Sequence, residues 1–186
     1  MTYPSFTTGE VLTAADMNAV GLWLVKSQTI GSGVSSVAVT GAFNSDYYAY
    51  RVVINNVTMS ATGAATVIYC KMHDGTSPVN SNYNFGLARI DIASSAIAGV
   101  GVALGTNGIL VGRGTGDKFG TSFDIINPNL ATHTIFPQIG GVNVSTGYMY
   151  SGAGMHQTST AYTAFQIAPD TGTLTGGTIA VYGYRN

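Results

Sequence analysis

Three histidines, one cysteine and a scatter of aspartates are the residues of this chain with reactive chemistry, and their spacing serves none of the usual schemes. His73, His133 and His156 lie far apart. They would make a metal site only if the fold, or a threefold axis through three copies, brought them together. Otherwise they read as exposed residues at turns and strand ends. Cys70, inside Val67-Ile-Tyr-Cys-Lys-Met72, reads as a small buried side chain, because a reactive thiol needs a lowered pKa and a base beside it.

The carboxylates offer as little. Glu10 is the sole glutamate, so a glycoside-cleaving pair of carboxyl groups would have to be built from aspartates alone. Asp170-Thr-Gly172 repeats the triplet used by proteases in which two aspartates share a proton, but Pro169 before it and Thr-Leu-Thr-Gly-Gly after it describe a surface turn. Gly112-Arg-Gly-Thr-Gly-Asp-Lys118 lacks the Gly-Lys-Ser/Thr ending of a phosphate loop, and no H-E-x-x-H or C-x-x-C occurs. No catalytic residue, metal or cofactor is expected, and the chain does not read as an enzyme.

The positive signal is aromatic. Eleven tyrosines, several close-set as in Tyr47-Tyr48, Tyr148-Met-Tyr150 and Tyr182-Gly-Tyr184, sit among Asn, Ser and Gly. That mixture makes adaptable contact surfaces of low entropy cost, on which sugars can stack. It equally serves packing within β-sheets.

The elements that would position these residues are short β-like runs with turn signals between them. They are Leu22–Ile30, Ser35–Val39, Tyr47–Asn55, Ala64–His73, Tyr83–Ala93, Gly99–Ala103, Gly108–Gly112, Phe119–Ile126, His133–Ile139, Gly147–Gly152, Ala161–Ala168 and Thr178–Tyr184. Tyr48, Tyr50, Val52 and Ile54 share one face of a strand. His73-Asp-Gly75, Asn127-Pro-Asn129 and Pro169-Asp-Thr-Gly172 are turns. The glycine-rich stretch Ala96–Gly120 has weak register and reads as a loop or a sheet edge. The expected fold is all-β, an antiparallel β-sandwich or jelly roll over residues 31–186.

Residues 1–30 differ from the rest. Pro4 keeps the start extended, Thr13 offers a helix cap with Asp16 three residues on, and Met17, Val20 and Leu24 recur at helical spacing. A helix of about 12 residues is marginal alone in water, so the segment reads as a helical or extended anchor arm. It has too little core of its own to bury Phe6, Leu12, Met17 and Trp23, which become the assembly-interface candidates. For Trp23, packing beneath the sandwich is the competing account.

Three stretches carry a resemblance. Phe6-Thr-Thr-Gly-Glu-Val-Leu-Thr-Ala-Ala-Asp-Met-Asn-Ala19 resembles the opening of small tailed-bacteriophage structural proteins of the tail-fibre or minor structural type. Phe43–Ile54 and the ending Gly172–Arg185 are similar to other parts of those proteins. The resemblance implies a β-sandwich or jelly-roll domain, usually homotrimeric, and assigns no catalytic residue.

Composition bounds the rest. Seven Lys and Arg against eight Asp and Glu leave a formal net charge of −1 without clusters. Nucleic acid, which needs a basic stripe, is therefore not an expected partner, and neither is an anionic membrane surface. Charged residues make up only 8 % of the chain, against roughly a quarter in ordinary soluble domains. A surface so poor in charge suits an exterior particle or an assembly whose copies cover one another. No secretory signal or apolar span long enough for a membrane helix is present, so folding in the host cytoplasm and incorporation into a virion is the expectation. The leading reading is a short trimeric tail fibre, attached by its N-terminus to tail or baseplate, with the β domain towards host surface glycans. The alternative is a capsid decoration (cement) protein clamping the major capsid protein, and a remote third is a carbohydrate-processing enzyme.

Overall fold

The computed structural model describes residues 8–9, 11, 21–61, 66–91, 94–114, 116, 118–143 and 148–185. The strands are β1 (Leu22–Thr29), β2 (Val37–Val39), β3 (Tyr47–Met59), β4 (Thr66–His73), β5 (Tyr83–Asp91), β6 (Ile97–Gly105) and β7 (Ile109–Gly114). They continue as β8 (Phe119–Ile126), β9 (Thr134–Asn143), β10 (Tyr148–His156), β11 (Ala164–Pro169), β12 (Leu174–Thr175) and β13 (Thr178–Arg185).

All pairings are antiparallel and form two sheets. The large sheet runs β1-β13-β3-β8-β9-β10-β5-β6, with β12 paired to β3. The small sheet runs β2-β11-β4-β7. The all-β, two-sheet expectation holds, and most of the strands foreseen from alternation appear within a few residues of their expected ends. Strand β12 was not foreseen; it is two residues long, too short for any alternation to register.

Alternation explains the layering. In β3, Tyr50, Val52 and Ile54 are fully buried while Arg51 and Val53 face outward. A register shift between Ile54 and Val57, with Asn56 at a φ of 59°, then re-aims the strand so that Val57 and Met59 also point inward. Tyr48 is a correction: the register against β13 passes from Ala49 to Tyr47 and skips it, so alternation breaks there and it is exposed. The small sheet contributes Ile68, Cys70 and Met72 from β4 and Phe165 and Ile167 from β11 to the same core, opposite Phe123, Ile125 and Phe136. Burial of this one apolar cluster is what holds the layers together.

Three polar side chains tie the core together, while the buried hydroxyls of Thr66 and Thr134 have no partner among the described residues. The Thr121 hydroxyl donates across the layers to the Val111 carbonyl at 2.6 Å. The Tyr83 hydroxyl accepts from the Met72 amide and donates to the Val79 carbonyl, both at 2.9 Å. Tyr50 similarly closes the 44–50 turn through the backbone of Asn44 at 2.8 Å. Satisfied pairs of this kind fix how the sheets seat, because a buried donor or acceptor without a partner is expensive.

The glycine-rich middle, Ala96–Gly120, resolves into two unlike strands. β6 is the edge of the large sheet, with Ile97 and Leu104 73 % and 63 % exposed. β7 is the end strand of the small sheet, yet Ile109, Leu110 and Val111 are all buried.

Candidate functional site

Of the four anchor residues, Phe6, Leu12 and Met17 lie outside the described residues, as does the helix expected from Thr13. Trp23 is described: it sits in β1 opposite Gly183 and is half-buried, its indole N–H shielded without an acceptor among the described residues. Leu22 and Leu24 point the other way and are exposed. The later part of the 1–30 segment, Leu22–Thr29, is thus itself an outer strand of the large sheet.

The reactive side chains do not converge. Among the described residues, no group of three His, Cys, Asp or Glu is placed to hold a metal. His133 is exposed as expected, but His73 and His156 are buried, which corrects the surface reading of both. His156 stacks on Tyr83 with ring centroids 4.5 Å apart, and its Nε2 lies 3.2 Å from the Thr158 hydroxyl. Burial holds its pKa below the usual histidine value, and His133 nearby acts in the same sense. His73 instead accepts from the Gly75 amide within the Asp74 turn. Cys70 is fully buried and burial drives its thiol pKa far up, so it is inert.

Two surfaces remain as candidates. The first is the outer face of the large sheet, whose halves differ. Over β13, β3 and β8 it is polar: Arg51 makes a bidentate ion pair with Asp124 at 2.8 and 2.9 Å. The Tyr184 hydroxyl donates to the same carboxylate at 3.2 Å, and the guanidinium lies 5.8 Å from the Tyr184 ring centre. Over β10, β5 and β6 the register aligns Ala153 with Gly86 and Gly101, Ser151 with Ala88 and Gly99, and Met149 with Ile90 and Ile97. No ionisable side chain is among them. Ile135 and Met155 extend this face onto β9. The result is a smooth apolar area with two shallow grooves, of about 480 and 410 Å³, that meet at Gly86.

The edges differ in the same way. β1 carries Lys26 beside a register shift, two devices that discourage a strand from adding on. β6, Ile97-Ala-Gly-Val-Gly-Val-Ala-Leu-Gly105, shifts register too, between Val102 and Gly105, but has no charge and no proline.

The second surface is a cleft of about 200 Å³ on the outer face of the small sheet, lined by Tyr69, Lys71, Asn107, Ala168, Pro169 and Asp170. β4 supplies Tyr69 and Lys71 because its other parity, Ile68, Cys70 and Met72, is spent on the core. β11 pairs Ala168 with Tyr69 and brings Asp170 to the end of β4, where its carboxylate accepts from the Val67 amide at 3.0 Å. Asn107 arrives from the β6–β7 turn. That turn needs glycine at 108: the φ is +98°, and a Cβ there would stand 2.5 Å from the Cys70 carbonyl oxygen.

Electrostatics follow from this crowding. Desolvation lowers the Lys71 pKa, and its ammonium donates to Asn80 at 2.6 Å. The Tyr69 hydroxyl is hydrogen-bonded to the Asn107 side chain, and burial and the Asp170 carboxylate push its pKa up. Sequence reasoning missed this grouping. The signal was present only in part, as the alternation within Val67–Met72 that sets Tyr69 and Lys71 on the face away from Ile68 and Cys70.

No family model matches the chain, and no curated protein matches it. Among solved structures it is similar to the Clostridium thermocellum N-terminal endo-1,4-β-D-xylanase 10B CBM22-1–GH10 modules complexed with xylohexaose, at 11 % identity and a TM-score of 0.23. The similarity covers 89 % of this chain and 25 % of that one, so the chain spans about a quarter of that protein's length. A likeness at that level carries nothing about fold or ligand.

Proposed function

We propose that this chain is a bacteriophage virion structural protein, a short fibre-like appendage built from several copies, attached through its N-terminal segment and presenting a jelly-roll-like β domain outward. One observation carries the reading: half of the large sheet's outer face, together with edge β6, is apolar, uncharged and, among the described residues, uncovered. A contiguous apolar face rimmed by polar residues is the kind of surface that marks an interaction site. The partner that suits this one best is a further copy of the chain: an uncharged apolar face meets no charge penalty against a different apolar surface of an identical chain, and head-to-tail contacts of that kind close into rings such as trimers. A trimer is the assembly we favour, on the resemblance of residues 6–19, 43–54 and 172–185 to phage structural proteins. The polar half of the same face, with its Arg51–Asp124–Tyr184 cluster, is left to solvent or to the host.

The test is the copy number of the chain in purified virions, by quantitative mass spectrometry against the major capsid protein. A ratio of a few per cent is expected for an appendage. A ratio near one to one would replace this reading by a capsid decoration protein, and absence from the particle would end both.

A further inference from the structure

We propose that the cleft between Tyr69, Lys71, Asn107 and Asp170 binds a single neutral pyranose ring. The inference names a ligand class and a site on the β domain; it rests on the reading above only for the source of the sugar, a host surface glycan.

The chemistry of the lining selects the class. A simple anion would gain from Lys71 but meet the Asp170 carboxylate, and a simple cation would meet the reverse. A ring of neighbouring hydroxyls uses both, because each hydroxyl donates as well as accepts. Asp170 keeps acceptor capacity beyond the bond from Val67, Lys71 keeps donors beyond the bond to Asn80, and the exposed Asn107 amide supplies one of each. Hydrogen bonds to charged partners of this kind are the stronger ones. Tyr69, half-buried between them, adds an aromatic wall for the C–H face of the ring, while Ala168 and Pro169 form the apolar floor.

Size and rigidity point the same way. About 200 Å³ is below the several-hundred-Å³ range of drug-sized ligand sites and suits one sugar unit at a chain end or branch. The groups are held before any ligand arrives: Tyr69 by Asn107, Lys71 by Asn80, Asp170 by the Val67 amide, and the Asn107 turn by the approach that Gly108 allows. Preorganisation of this sort lowers the entropy cost of binding.

The experiment is saturation-transfer NMR on the full chain, with glucose, galactose and N-acetylglucosamine at millimolar concentration and with alanine as a zwitterionic comparison. Transfer to at least one sugar is expected, strongest on the protons of one ring face, with none to alanine. Asn107→Ala and Lys71→Met should each weaken that binding at least fivefold while the melting temperature stays within 2 °C of the parent. No transfer to any of the three sugars, transfer undiminished in both variants, or a preference for alanine would overturn the proposal. An Ala88→Glu variant, altered on the other sheet, should bind sugar as the parent does. A failure of the cleft is thereby separated from a failure of assembly.

Discussion

The outer face of the large sheet is one continuous surface with two characters. Over β13, β3 and β8 its side chains are long and paired to one another: Arg51 with Asp124, Tyr184 with both. Over β10, β5 and β6 they are Gly, Ala, Ser, Ile and Met, with nothing ionisable among the aligned rows. Beneath both halves the core is the same close-packed cluster, so burial within the chain does not account for the contrast. What differs is what lies above. The polar half covers itself with its own tyrosines and an ion pair, whereas the apolar half has no cover among the described residues. A β surface left in that state, ending on an uncharged edge strand, is a place for another chain.

The comparison is broken most severely at the core the halves share. Phe123, fully buried in β8 with its ring centroid 6.3 Å from that of Phe136 in β9, joins the two. Phe123→Ala should cost about 3–5 kcal/mol of unfolding free energy, read from urea denaturation. A loss under about 1 kcal/mol would mean that the halves do not share a core.

Next in size is a pair of matched charges. Ala88→Glu places a carboxylate on the apolar half, and Ser122→Glu places one at an equally exposed position on the polar half. Burying an unpaired charge at an interface costs several kcal/mol. Self-association of A88E should therefore fall at least about a hundredfold, while S122E associates as the parent does; all three should melt together at concentrations too low for association, and A88E lower than the others where they assemble. Equal behaviour of the two variants would remove the distinction between the halves.

A third effect lies under the apolar half alone. His156 in β10 is buried and its pKa is held down, mainly by desolvation. In the unfolded chain it titrates near the ordinary 6.5. Between that value and the lower folded one, the unfolded state binds the extra proton, so stability should be full above pH 6.5 and decline as the pH falls below it. Replacing His156 by Phe, which keeps a ring against Tyr83, should flatten the decline between pH 7 and 5 in thermal melts. An unchanged slope would place the acid sensitivity elsewhere.

The smallest change is on the polar half. Arg51 and Asp124 are partly exposed, and exposed ion pairs are worth little. Asp124→Asn should cost less than about 1 kcal/mol by denaturation and leave the association state untouched.

How much of this was legible before the structure depends on whether the signal was local. Phe119–Ile126 alternates cleanly and became β8 with those bounds. The turns at Gly75, Asn127 and Gly172 were marked by residues suited to a positive φ, which all three adopt. Alternation does not announce a shift of register, and Tyr48, skipped in the pairing with β13, was misplaced for that reason. Nor does it say which polar residues lie under neighbouring rings: His156 is covered by Tyr83, from a distant strand, and by Tyr162 in the segment that follows β10. The cleft was beyond reach for the same cause, since residues 69, 71, 107 and 170 meet only through strand pairing. The contrast between the halves of the outer face was equally hidden, because it depends on which strands became neighbours.

The most direct measurement is the mass of the full chain in solution by sedimentation equilibrium at tens of micromolar. The account predicts an assembly, with three times the 19.2 kDa of one chain as the favoured mass, and its reduction to a single chain in A88E. A parent protein that sediments as one 19.2 kDa chain throughout would contradict the claim that the apolar half of the face is where copies meet.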